Sequence, residues 1–181
     1  MTGPPLRRVL LVGFMGAGKT SVGRRVAVAL DWRFVDFDDA VEARAGKSIA
    51  AIFAEEGEEH FRILEERVAR DLLDEEGVVL GSGGGWSARS GRLEELPEGT
   101  ATVWLRVSAK EALKRTASQP GQRPLLAEPE PLKRAEGLLA ERVPYYGRAG
   151  WTVDTERSTV EDVSARVLEI LAREFPEIGC E

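Results

Sequence analysis

The chain is poor in the residues that build disulfide and metal scaffolds. Its 181 residues include one cysteine, Cys180, and one histidine, His60. With no second cysteine an internal disulfide is excluded, which fits a reducing compartment and a cytoplasmic location. With one histidine no histidine metal cluster can form, and His60 reads as a helix-surface residue. No apolar run approaches the roughly 18 residues of a membrane span, so no membrane partner is expected. Bases are in deficit: 25 Lys and Arg against 31 Asp and Glu give a net charge of −6. A nonspecific nucleic-acid binder needs a basic face to displace counterions, so no nucleic-acid partner is expected. Arg7 and Arg8 ahead of the apolar residues 9–17 imitate the start of a secretory signal. Gly13, Gly16 and Gly18 interrupt that run and Lys19 follows, so a strand and a turn fit it better.

What remains is ordinary globular composition, 43% hydrophobic and 31% charged. The length suits one domain spanning 1–181, with no linker, repeat or low-complexity block. Apolar runs at 9–12, 33–36, 78–80, 102–107 and 151–153 predict five strands. Helical patterns alternate with them at 19–30, 38–45, 48–55, 58–73, 108–116, 132–145 and 160–175. Between the last two strands the segment at about 117–131 holds four prolines and no periodicity, and reads as a mobile lid. The alternation implies a three-layer α/β fold, a five-stranded mostly parallel sheet with helices on both faces. Ligands of such sheets sit beyond the carboxyl ends of the strands, and each motif below falls there.

Gly13-Phe14-Met15-Gly16-Ala17-Gly18-Lys19-Thr20 matches the phosphate-binding pattern G-x-x-x-x-G-K-[ST] at every fixed position. Glycines let backbone N–H groups surround a dense anion, and the following helix adds its free N-terminal donors. Lys19 would place a point charge on the β and γ phosphates, and Thr20 would offer its hydroxyl to Mg²⁺. The match has its required context, a strand before and a helix after, and an accidental match would arise on the order of half a percent of the time.

Asp36 and Asp38 end the second predicted strand, where alternation would project both from one side. One could hold the water shell of Mg²⁺ while the other accepts a hydrogen bond from a substrate hydroxyl. The competing reading is that Asp38 or Asp39 caps the next helix.

With Phe61-Arg62, Gly83-Gly84-Gly85, Arg123-Pro124-Leu125-Leu126 and Arg142-x-x-x-Tyr146 added in order, the sequence resembles the shikimate kinase family from about residue 9 to about 171. The resemblance implies a P-loop kinase of the nucleoside-monophosphate-kinase fold. It implies transfer of the γ-phosphoryl of ATP to the 3-hydroxyl of shikimate, with Mg²⁺, in aromatic amino-acid (chorismate) biosynthesis, by a protein expected to be a monomer. Lys19, Asp38 and Arg123 would then be catalytic. Gly16, Ala17, Gly18, Lys19, Thr20, Ser21, Arg115 and Arg123 would contact the nucleotide, with Arg115 on the adenine. Thr20 and Asp36 would serve the metal. Asp38, Arg62, Gly83, Gly84, Gly85 and Arg142 would hold shikimate, the two arginines clamping its carboxylate. The helices over about 38–73 would carry part of this acceptor site.

The residues alone leave alternatives. Arg62 has Glu65 and Glu66 at i+3 and i+4, the spacing of a surface ion pair. Arg142 follows Glu141 in a charged helix, and three glycines can be a plain turn. A planar guanidinium nevertheless suits a carboxylate because it donates two parallel hydrogen bonds. Trp86, after the glycines, departs from the small residue expected, and would either narrow the acceptor pocket or pack beneath it. No nucleotide contact is assigned around Arg157. Two other readings are a related P-loop kinase for another small hydroxylated acid such as gluconate, or for a nucleotide, and a noncatalytic ATP-binding regulatory domain.

Overall fold

A computed structural model describes residues 4–117 and 129–179. Strand β1 (Arg8–Val12) lies at the centre of a five-stranded sheet, followed by helix α1 (Lys19–Ala29). β2 (Arg33–Asp36), α2 (Phe37–Ala45), α3 (Ile49–Leu73) and β3 (Val78–Gly81) come next. The chain ends with β4 (Thr100–Arg106), α4 (Ala109–Ala117), α5 (Pro131–Tyr146), β5 (Trp151–Asp154) and α6 (Val160–Glu174).

The sheet order is β2-β3-β1-β4-β5, and every pair is parallel. Right-handed crossovers put α1 on one face, where it packs beside α6, and the pairs α2–α3 and α4–α5 on the other. Residues 9–12 of β1 are wholly buried, as a strand covered on both faces must be. β1 begins one residue earlier than expected. Its first residue, Arg8, is itself buried, and its guanidinium donates to the carbonyls of Glu75 and Glu98 and to the Thr100 hydroxyl. The arginine that imitated a targeting signal thus ties the loops before β3 and β4, and the first residue of β4, to the start of β1.

The helices expected at 48–55 and 58–73 form α3, bent at Gly57, whose φ of +83° no helical residue adopts. Ser48 caps it by accepting from the Ala51 N–H. Ser108 likewise accepts from the Glu111 N–H at the start of α4. The expected lid at about 117–131 loses its two ends to helices, since Ala117 closes α4 and Pro131 opens α5 with proline in the first turn. Residues 118–128, with Arg123, lie outside the described residues, as does Cys180. His60 is on the surface, 2.6 Å from Glu56. Among the described residues no helix is long and apolar enough to cross a membrane.

β1 and β3 are neighbours, and their carboxyl ends release the loop at 13–18 and the glycines at 83–85 side by side. β2 flanks β3 and ends at Asp36. Three motifs far apart in sequence therefore open onto one crevice.

Candidate active site

The loop after β1 has the geometry of an anion cradle. Gly13 and Gly16 take φ of +143° and +69°. A Cβ on Gly13 would stand 2.5 Å from the Leu105 carbonyl oxygen, and one on Gly16 2.7 Å from that of Ala112, so only glycine fits. Gly18 precedes α1 with no side chain capping the helix, which leaves its first N–H groups directed at the loop. Lys19 Nζ donates to the carbonyls of Gly13 (2.8 Å) and Phe14 (3.1 Å), arching over the cradle.

Asp36 and Asp38 converge for a different reason than strand alternation. Only Asp36 belongs to the strand, and Asp38 lies in the first turn of α2. Asp36 is also the helix cap, in place of Asp38 or Asp39, its Oδ1 accepting the Asp38 N–H at 3.0 Å. Its Oδ2 accepts the Thr20 hydroxyl at 2.8 Å. A hydroxyl and a carboxylate side by side next to a phosphate cradle suit Mg²⁺, a hard ion that keeps most of its waters and leans on substrate phosphates. No group of three or more acidic, histidine or cysteine ligands gathers among the described residues.

Asp38 faces the cleft. Desolvation by surrounding protein is the first cause pushing its carboxyl up to about 6, with Asp36, Glu65 and Asp39 adding repulsion and Lys19 opposing. The group still ionises at neutral pH, where it is a better proton acceptor than an ordinary aspartate.

Arg62 and Arg142 arrive from α3 and α5. A Cβ on Gly85 would stand 3.2 Å from Arg62 Nη1 and 3.8 Å from Arg142 Nη2, so the two guanidinium groups meet over one glycine. One on Gly84 would be 3.3 Å from Arg142 Nη1 and 3.5 Å from the Gly13 carbonyl oxygen of the cradle. One on Gly83 would be 3.2 Å from Asp38 Oδ1. The three glycines thus keep open a floor shared by Asp38, Arg62, Arg142 and the phosphate loop.

Arg62 makes the i+3 ion pair that its spacing suggested, with Glu65, although Glu65 is buried, and does not make the i+4 pair with Glu66. It bonds Glu58 (3.0 Å) and the buried Glu65 (3.0 Å), while Glu66 pairs with Arg92 instead. No carboxylate lies within ion-pair distance of Arg142 among the described residues, and its guanidinium rests over Phe14 at 5.7 Å.

Arg115 lies at the other mouth of the cradle, donating to the carbonyls of Gly16 and Thr155, to the Thr155 hydroxyl, and to Glu111. A cleft of about 460 Å³ opens there, lined by Gly16–Gly18, Ser21, Arg115, Thr155 and Arg157. Arg157, to which no nucleotide contact was assigned, therefore belongs to the cleft wall. Its φ of +55° marks the tight turn that brings it there.

Sequence reasoning named Glu65 and Tyr146 without giving either a role in the site, and missed Arg89. Glu65 Oε2 accepts from Arg89 Nη2 at 2.6 Å as well as from Arg62. Tyr146 donates to the Gly84 carbonyl at 2.7 Å, and burial pushes its hydroxyl up so that it stays protonated. Its i+4 spacing from Arg142 was a legible signal; Arg89 had none. Trp86 is core, packed edge-on against Phe37 with ring centroids 5.2 Å apart.

The family model described as shikimate kinase matches residues 15–172. The chain belongs to the shikimate kinase family. A shikimate kinase of Mycobacterium avium (strain 104) is 45% identical over 151 residues, 83% of this chain and 85% of its own. One from Synechococcus sp. (strain RCC307) is 41% identical over 161 residues, 89% of this chain and 82% of its own. Among solved structures, the shikimate kinase of Acinetobacter baumannii in complex with shikimate superposes with a TM-score of 0.85 at 34% identity, covering 93% of this chain and 94% of that one.

Proposed function

We infer that the chain is an ATP-dependent kinase that transfers the γ-phosphoryl group to the 3-hydroxyl of shikimate. Its family membership and the likeness to a shikimate-bound relative support this. The observation that carries it is the meeting of Arg62 and Arg142 over Gly85, next to Asp38 and one strand away from the phosphate cradle.

The acceptor's carboxylate occupies the paired guanidinium groups, each able to donate two parallel hydrogen bonds. Glu65 fixes Arg62, and Arg89 shares the charge of Glu65, so Arg62 keeps positive charge for the substrate. The floor at Gly83–Gly85 admits the ring close to the backbone. The acceptor hydroxyl donates to Asp38, which holds its oxygen toward the γ-phosphorus and takes the proton as the new O–P bond forms and the bond to the β-phosphate oxygen breaks. Lys19 exchanges the Gly13 and Phe14 carbonyls for phosphate oxygens. Thr20 and Asp36 would hold Mg²⁺, which supplies positive charge against the phosphates. The 460 Å³ cleft takes the nucleoside, with Arg115 and Arg157 on its wall. Arg123 would meet the transferring phosphoryl group, a role supported by the family resemblance. A cytoplasmic location and a monomeric state complete the reading, the former supported by the lone cysteine.

An ADP-release assay over shikimate, quinate, gluconate and nucleoside monophosphates, with and without Mg²⁺, tests this. Release with shikimate and Mg²⁺ only is the expected result. Preference for gluconate or a nucleotide would replace the acceptor, and no release with any of them would leave a nucleotide-binding domain.

A further inference from the structure

Behind the acceptor site, on the outer face of α3, a groove of about 410 Å³ separates that helix from the segment following β3. Arginines dominate it. Arg67 and Arg70 lie three residues apart on α3, and Arg89 and Arg92 face them from the other wall. Arg89 and Arg92 are matched by Glu65 and Glu66. Arg67 and Arg70 have no carboxylate within ion-pair distance among the described residues, and neither guanidinium makes a hydrogen bond there. Arg62, Glu59, Ile63 and Glu66 complete the lining.

Arg70, Arg92 and Glu66 also border a smaller recess of about 200 Å³, which runs inward to Trp86 past Asp74 and Glu95. Trp86 is 2% exposed, and its indole Nε1–H finds no acceptor among the described residues. Buried donors are almost always satisfied, so one left over at the wall of a cavity asks for an acceptor from outside the chain. Arg92 stacks on the same indole at 5.6 Å.

Two unmatched guanidinium groups and an orphaned indole donor, on adjacent cavities that share Arg70, Arg92 and Glu66, have one chemical demand in a chain of net charge −6. We propose that this groove is a second anion site that takes a phosphate group, held at its mouth by Arg67 and Arg70 and from within by Arg92 and the Trp86 N–H. Phosphate fits because it offers acceptors in several directions at once, and guanidinium forks match its oxygens. The groove shares Arg62 with the acceptor site, but neither cavity is lined by Asp38, Gly83–Gly85 or Arg142, and Arg67 and Arg70 belong to the groove alone of the two. It does not rest on the kinase reading.

The test is a calorimetric titration of the full chain with inorganic phosphate and, in a second arm, glycerol phosphate. Each is run on the free protein and again with shikimate and Mg²⁺ plus a non-hydrolysable ATP analogue present. Saturable binding that persists with those ligands present is expected, with quenching of Trp86 fluorescence that Trp86→Phe abolishes. Arg67→Gln combined with Arg70→Gln should weaken it about tenfold or more, as loss of two charge-assisted contacts implies, with kcat and both KM values unchanged in phosphate-free buffer. Tighter binding of glycerol phosphate identifies a phosphate monoester as the occupant, and equal binding identifies free phosphate. Binding lost when the ATP analogue and shikimate are present, unchanged in the double variant, or never saturating overturns the proposal.

Discussion

Asp36 holds Asp38 by its backbone while binding Thr20 by its side chain: Oδ1 accepts the Asp38 N–H at 3.0 Å and Oδ2 the Thr20 hydroxyl at 2.8 Å. One carboxylate therefore joins the phosphate loop to the residue proposed to face the acceptor. Asp36→Ala should lose about 1 kcal/mol of stability with the cap and most of its turnover. Asp36→Asn keeps an acceptor for the cap and loses the charge, so it should melt near the parent and yet need more Mg²⁺ for half-maximal rate. Thermal melts and Mg²⁺ titrations of both variants check this. A parental Mg²⁺ requirement in Asp36→Asn would remove Asp36 from the metal.

Folding raises the Asp38 carboxyl from 3.8 to about 6. The native state binds that proton more tightly than the unfolded chain, so stability falls as pH rises through this window, and the full penalty stands above it. In metal-free buffer, Asp38→Asn should melt above the parent at about pH 8, with the gap closing toward about pH 4. Its turnover should drop about 100-fold or more, with nucleotide affinity nearly unchanged. A variant less stable at alkaline pH would show that the carboxylate is not under strain.

The arginine pair should behave as a clamp. Arg62→Ala and Arg142→Ala should each cost about 2–5 kcal/mol of shikimate binding, read as a raised KM for shikimate with KM for ATP nearly constant. Parental KM values in either variant would exclude that residue from the acceptor site.

Glu65→Gln tests the support behind the clamp. It removes the charge that Arg62 and Arg89 share, so it should lower stability by about 1.5–3 kcal/mol, the range for hydrogen bonds to charged groups. KM for shikimate should rise as Arg62 loses its anchor. Denaturant unfolding and steady-state kinetics read the two effects separately.

Two glycines should fail in opposite ways. On Gly85 a methyl group meets Arg62 Nη1 at 3.2 Å, the end of a flexible side chain, so Gly85→Ala should fold and bind shikimate poorly. On Gly13 it meets the Leu105 carbonyl oxygen at 2.5 Å with φ at +143°, so Gly13→Ala should disrupt the loop and lower the melting temperature. Equal stability of the two variants would contradict this distinction.

The phosphate loop, the placing of motifs at strand ends and the helix boundaries at Lys19, Ala45, Leu73 and Val160 could be read from the chain because they depend on local chemistry. Gly13, Gly16 and Gly18 are demanded by backbone dihedrals, Lys19 by charge, and the buried run of β1 by covering on both faces. Side-chain partnership could not be read, because spacing along a helix names several neighbours and burial chooses among them. Arg62 had Glu65 and Glu66 in reach; the structure buries Glu65 beneath it and gives Glu66 to Arg92. Arg89 reaches Glu65 from 24 residues away, and Asp38 meets Asp36 through a helix cap where a strand was expected. Local sequence determined which groups this protein has for binding phosphate and acceptor. Only the parallel pairing of β1 with β3, a long-range contact with no local signature, decided that those groups face one another.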